Sequence, residues 1–146
     1  SLIGIFNILG SLLSGAFGQR YSKKLGLSGI YALRALVLAI FLLTPKTTEV
    51  IYVFAATMGI LWLSTVPLTA GLVAQVFGIR YMATLYGFVF FSHQIGSFIG
   101  VWLGGFIHDT TGSYDLMWQA GILMGLVAAV IHLPIDEAPV PRLQEA

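Results

Sequence analysis

A chain of 146 residues with 58% hydrophobic and only 9% charged side chains stands far from the about 25% charged residues of an ordinary soluble domain. Its mean hydropathy of +0.91, together with uncharged runs long enough to cross a bilayer, implies an integral membrane protein with lipid as its surroundings. The net charge of +1 says nothing about nucleic acid, but no basic cluster interleaved with aromatics occurs, so no nucleic-acid partner is expected, and the absence of cysteine excludes disulfides and thiolate metal sites.

Five apolar spans follow one another. The first, 1–18, is uncharged and opens on Ser1 in mid-run. With no initiator Met and no basic region ahead of it, it reads as part of a longer parent chain and not as a cleavable signal peptide. A short basic loop, Gln19-Arg20-Tyr21-Ser22-Lys23-Lys24, leads to a second span, 25–43, with Arg34 near its midpoint. Thr44-Pro45-Lys46-Thr47-Thr48-Glu49 is a polar turn with a helix-breaking proline. The third span, 50–76, contains Pro67, and 77–81 forms the next turn. The fourth, 82–107, holds no formal charge over more than the ~20 residues a helix needs to cross the bilayer core. A polar loop at 108–115, a fifth span at 116–135 and a polar tail at 136–146 complete the chain. The expected fold is an all-α membrane protein, with a transmembrane bundle over 1–135 and a tail over 136–146.

In the fourth span Gly96, Gly100 and Gly104 recur every fourth residue, on one side of a helix. Membrane helices gain little from hydrophobicity when they meet, so close backbone approach must supply the attraction. The spacing predicts a helix-packing face; the alternative is a Gly-rich anchor turned to lipid.

The cations set the orientation. Successive loops alternate sides, which places Arg20, Lys23, Lys24, Arg80 and Arg142 together and leaves Lys46 opposite; Arg34, inside a span, completes the seven. By the positive-inside rule the side of the five is cytoplasmic, and the C-terminus with it.

Gly15-Ala16-Phe17-Gly18-Gln19-Arg20-Tyr21-Ser22-Lys23-Lys24 fits G-x-x-x-[D]-[RK]-x-x-[RK]-[RK] except at Gln19. This resembles the signature loop of the major facilitator superfamily, which follows the second helix and recurs in degenerate form after the eighth. Gln19, where Asp is usual, points to the second copy. The resemblance then implies that the spans are helices eight to twelve, most of the six-helix C-terminal half of a carrier whose N-terminal half is absent here. A cytoplasmic C-terminus is required by that placement too. Phrases such as LWLSTVPLTAGLVAQVFG and GSFIGVWLGGFIHDTTGSYD look like the bacterial monocarboxylate-porter-like branch, which implies a bacterial inner membrane. Gly15, Gln19, Arg20, Lys23 and Lys24 would form a conformational latch, the cations pairing with helix ends of the neighbouring bundle. Gly96, Gly100 and Gly104 would lie between the two halves.

Helix ten lines the central cavity in this family, so Trp62, Thr65 and Thr69, at i, i+3 and i+7 of the third span, become candidates for the substrate path. The alternative is that the hydroxyls bond back to their own helix and Trp62 anchors packing. Pro67 deprives the Leu63 carbonyl of its helical partner, so the kink should face protein or a watery cavity. Arg34 at mid-depth costs about 2.5–3.5 kcal/mol on insertion scales and needs a partner: backbone carbonyls, a carboxylate of the absent half, or an anionic substrate. His93, three residues before Gly96 on the glycine face, is either a proton relay or a neutral hydrogen-bonded group. Animal monocarboxylate transporters carry an Asp and an Arg in helix eight; aligned on Gly15, those positions fall on Asn7 and Ser11, which removes that coupling chemistry. No metal cluster, phosphate loop or nucleophile–His–carboxylate constellation can be assembled, so neither an enzyme nor a cofactor is expected. The sequence reads as part of a secondary active transporter of a small solute, a small organic anion, working by alternating access. The alternatives are a non-transporting structural or receptor-like membrane protein and, behind it, an intramembrane enzyme.

Overall fold

The computed structural model describes residues 2–141. Among them are six α-helices and no strand: α1 (Leu2–Arg20), α2 (Lys23–Leu43), α3 (Thr48–Trp62), α4 (Thr65–Phe77), α5 (Ile79–Thr111) and α6 (Asp115–His132). They make five crossings, because α3 and α4 together form one apolar stretch of 30 residues. Large hydrophobic side chains such as Leu12, Phe88, Phe98, Val101 and Val130 stand exposed on every crossing helix. In water such a surface would aggregate; against lipid it is the expected outside.

Several boundaries differ from the sequence expectation. The first helix continues through Arg20, and the basic loop shrinks to Tyr21-Ser22. The expected turn at 77–81 reduces to Gly78, whose φ of 80° is a conformation that side-chain-bearing residues rarely adopt; Arg80 and Tyr81 are already helical. At its other end α5 runs to Thr111, where the Thr110 and Thr111 hydroxyls bond back to the carbonyls of Phe106 and Ile107. The fifth crossing stops at His132, just ahead of Pro134. Residues 136–141 are not a free tail: Val140 N–H donates to Val76 O at 2.9 Å at the end of α4.

Packing is organised as two pairs, α1 on α3 and α2 on α6. The first pair meets at Gly10 and Gly59. A Cβ added at Gly10 would run into the Ile60 carbonyl, and one at Gly59 would lie 2.9 Å from Ile3 O. The second pair is joined by Gly125 against Ala35 and by a hydrogen bond from Ser28 Oγ to Ala129 O of 2.7 Å. Small residues thus hold both pairs together, with a half-buried hydroxyl added in the second, as expected without a hydrophobic drive. Among the described residues the tightest glycine-packed crossing is therefore Gly10 with Gly59. At Gly96 and Gly100 an added Cβ would meet nothing within 4 Å, and at Gly104 only the Met117 side chain, at 3.7 Å. Helix α5 rests on α4, barely touches α6 and buries none of its described residues.

Candidate functional site

The discontinuity between α3 and α4 lies near the middle of its crossing, at Leu63-Ser64. A helix end leaves its last four carbonyls without intrahelical donors, and in lipid those groups must be satisfied by protein. Here each has a partner. Ser64 Oγ donates to Ile60 O, Arg34 donates to Leu61 O from Nε at 3.2 Å and from Nη2 at 2.5 Å, Arg34 Nη2 also reaches Trp62 O, and Val66 N–H donates to Leu63 O at 3.1 Å. The Leu63 carbonyl, expected to be orphaned by Pro67, is taken up by a tighter turn. Arg34 and the broken helix answer each other: a planar fork of donors from α2 covers two carbonyls that the break exposes, and the charge sits at the negative end of a helix dipole. The guanidinium also lies 5.1 Å from the Tyr31 ring centroid and 5.8 Å from that of Trp62, within cation–π reach.

Trp62 forms part of a groove of about 670 Å³ together with Asn7, Leu38, Phe54, Met58 and Trp118. No charged side chain lines it, and α5 contributes Gly104. The ring of Phe54 stacks on Phe41 at 4.0 Å and meets Trp118 edge-on at 6.1 Å, which fixes one wall. Asn7 places an amide in this apolar setting, and its buried Oδ1 has no hydrogen-bond partner among the described residues.

The break also separates residues that the spacing had grouped. Trp62 closes α3, whereas Thr65 and Thr69 belong to α4, so the three do not share the face of one continuous helix. Both threonines are half-buried and neither lines the groove. His93 is exposed on α5 with its ring 6.2 Å from Phe90, away from Trp62's groove. Arg34 and Trp62 are thus the two substrate-path candidates that the fold brings together.

At the end of the bundle that carries the basic loop, a second cluster closes. Glu137 Oε1 accepts from the backbone N–H of Lys23 at 2.7 Å and of Lys24 at 3.0 Å, while Ser22 Oγ accepts from Leu25 N–H and Ser22 O from Gly26 N–H. All four leading donors of α2 are satisfied in this way. Lys23 Nζ donates to Gln75 Oε1 at 2.6 Å, Lys24 Nζ donates to Ile135 O at 2.8 Å, and Gln75 Nε2 donates to Glu137 O at 2.9 Å. Gln19 and Arg20 are exposed on the last turn of α1, and Gly15 faces Pro67, with an added Cβ 4.0 Å from its ring. Arg142, counted among the cytoplasmic cations, lies outside the described residues.

Gln75 and Glu137 were missed from sequence because their partners are distant along the chain. A polar residue in the last turn of a helix, and an acidic residue just beyond the last span, were the available signals.

A family model described as Major Facilitator Superfamily matches residues 1–146. The uncharacterized MFS-type transporter YcxA of Bacillus subtilis (strain 168) is 31% identical over 136 residues, 89% of this chain and 33% of its own length. The chain therefore spans about a third of that relative. No solved structure matches.

Proposed function

The chain belongs to the major facilitator superfamily, and on that premise we propose that it supplies helices eight to twelve of a secondary carrier that moves a small solute by alternating access. The discontinuity between α3 and α4 supports this most directly. Carriers build midplane sites from broken helices whose exposed backbone is tolerated only where protein or a cavity receives it; here the break adjoins both Arg34 and the groove. The groove and the bare glycine face of α5 provide the surface against which the remainder of the carrier packs. The solute is a small organic anion. Its apolar body suits the uncharged aromatic groove, and the Nη1 edge of Arg34, which holds no protein hydrogen bond among the described residues, remains to meet its charge. The carrier lies in the plasma membrane with its C-terminus cytoplasmic.

Single cysteines in place of Trp62, Thr65 and Thr69 test the path in the full-length carrier. Position 62 is expected to react with a membrane-impermeant thiol reagent, with a rate that depends on the side exposed. Protection of all three positions from both sides would remove the proposed lining. Uptake into proteoliposomes then separates solute classes. Saturable entry of aromatic and aliphatic carboxylates, and not of their neutral amides, is expected; equal uptake of both would discard the anion, and no uptake of any compound would favour a non-transporting membrane protein.

A further inference from the structure

The strongest unassigned feature is the cluster at Glu137. A carboxylate from the segment beyond α6 sits on the N-terminus of α2, where unpaired N–H groups and the helix dipole favour negative charge. Its approach is not incidental. The same short segment takes the Lys24 ammonium on Ile135 O, the Gln75 amide on Glu137 O, and gives the Val140 N–H to Val76 O. Three chain regions far apart in sequence are tied at one point: the start of α2, the end of α4 and the stretch after α6. Both loop lysines are consumed inside this bundle, whereas the signature-loop resemblance implies that they pair with the neighbouring one.

We propose that Glu137 is the positioning residue of the basic loop, and that residues 135–140 act as a strap that holds Lys23 and Lys24 on their own bundle until it is released. The strap's consequence for alternation rests on the carrier reading above; its geometry does not. While it is fastened, the loop cannot offer its two ammonium groups to the rest of the carrier, and the ends of α2 and α4 move as one body. Release would free Lys24 from Ile135, free Gln75, the partner of the Lys23 ammonium, from the Glu137 carbonyl, and uncap α2 in a single event.

The charge is the working part. Burial would raise the carboxyl of Glu137, but hydrogen bonds from the Ser22 hydroxyl and the Lys24 and Lys23 amides, with the Lys23 charge, outweigh it and hold it below the ordinary carboxylate range. Lys23 and Lys24 of α2 are the charged groups that meet the strap, Gln75 is the neutral contact from α4, and Asp136 on the strap itself accepts from Ala138 N–H. The ionised form is the one that fastens. A carboxylate with a lowered folded-state pKa keeps its full contribution above the ordinary value of about 4.3 and loses it as pH falls through the lowered one.

Hydrogen–deuterium exchange on the full-length carrier in lipid nanodiscs tests the proposal without a transport substrate. Glu137→Gln is expected to speed exchange of the Lys23 and Lys24 amides about tenfold or more while the interior of α2, 27–40, stays protected. Glu137→Asp, which keeps the charge, is expected to restore most of that protection. Unchanged exchange in Glu137→Gln would overturn the proposal, as would an Asp variant no better than Gln. Loss of protection along all of α2 would overturn it too, since Glu137 would then support the fold and not the loop. A nitroxide on Val140→Cys adds the pH dependence: it is expected to be immobile at neutral pH and freed below the ordinary carboxylate range. A label equally mobile at both ends would refute the charge-dependent strap. Failed uptake with an intact exchange result would reject the carrier reading alone.

Discussion

Arg34 shows how a costly residue becomes structural. An arginine at mid-bilayer carries an insertion penalty of about 2.5–3.5 kcal/mol, and each buried carbonyl left without a donor costs roughly 1–3 kcal/mol. The fold sets the two problems against each other, because Arg34 donates to Leu61 O and Trp62 O where α3 ends. Substituting Arg34→Leu removes the first cost and restores the second twice over, so membrane insertion is expected to survive while the folded bundle melts at lower temperature. Arg34→Lys keeps the charge but not the planar fork, and one uncovered carbonyl is expected to cost about 1–3 kcal/mol. Thermal melting of the purified full-length protein should rank wild type above Lys and Lys above Leu. A Leu variant that melts at or above wild type would mean that the carbonyls find other donors.

Helix pairs in this chain use glycine in two ways. At the crossing of α1 and α3, Gly10 faces the Ile60 carbonyl and a Cβ added at Gly59 would lie 2.9 Å from Ile3 O, so even one methyl group has no room. Gly10→Ala is expected to push the two helices apart and destabilise the bundle by about 1–3 kcal/mol, the usual cost of overpacking. On α5 the same residue type faces open space at Gly96 and Gly100. Gly100→Leu should leave insertion and bundle stability unchanged, since leucine is at home in lipid and improves helix propensity by ~1 kcal/mol over glycine. In the full-length carrier it is expected to abolish uptake at matched membrane abundance, because an isobutyl group would hold the facing helix away. Near-normal uptake would identify the α5 face as a lipid surface.

Across the whole molecule, charge distribution and helix parity set one topology. Arg20, Lys23, Lys24 and Arg80 collect at one end of the bundle, and Lys46, at the other, donates to the carbonyl of Phe41 in the last turn of α2 and to that of Thr44 at its cap. A lone cation at the end away from the basic loop is tolerable when it caps a helix C-terminus. Reporter fusions after residues 24 and 146 of the full-length carrier are expected to report the same, cytoplasmic side. Opposite sides would dismantle both the topology and the strap, which needs the basic loop and residues 135–140 at one surface.

Fold class, the number of crossings and the family signature were legible in the sequence because they depend on local quantities. An uncharged run of about 20 residues can do little but span, and Gly15 to Lys24 carry their pattern within one loop. Pro67 and Arg34 were each recognisable as demanding a partner, since a missing donor and a buried charge are properties of single residues. That they meet was decided only by tertiary structure, which places Arg34 of α2 at the depth where α3 breaks. The break itself separates Trp62 from Thr65 and Thr69 because helical spacing holds only while the helix is continuous. Glycine periodicity on α5 marked a smooth face, yet periodicity does not say what lies opposite, and in this chain Gly10, Gly59 and Gly125 meet a neighbouring helix closely while Gly96 and Gly100 do not. Glu137 looked like one more solvated charge of a tail. Only the return of the chain after α6 brings its carboxylate onto the unpaired N–H groups of α2, because complementary charges separated by more than a hundred residues become neighbours through packing alone.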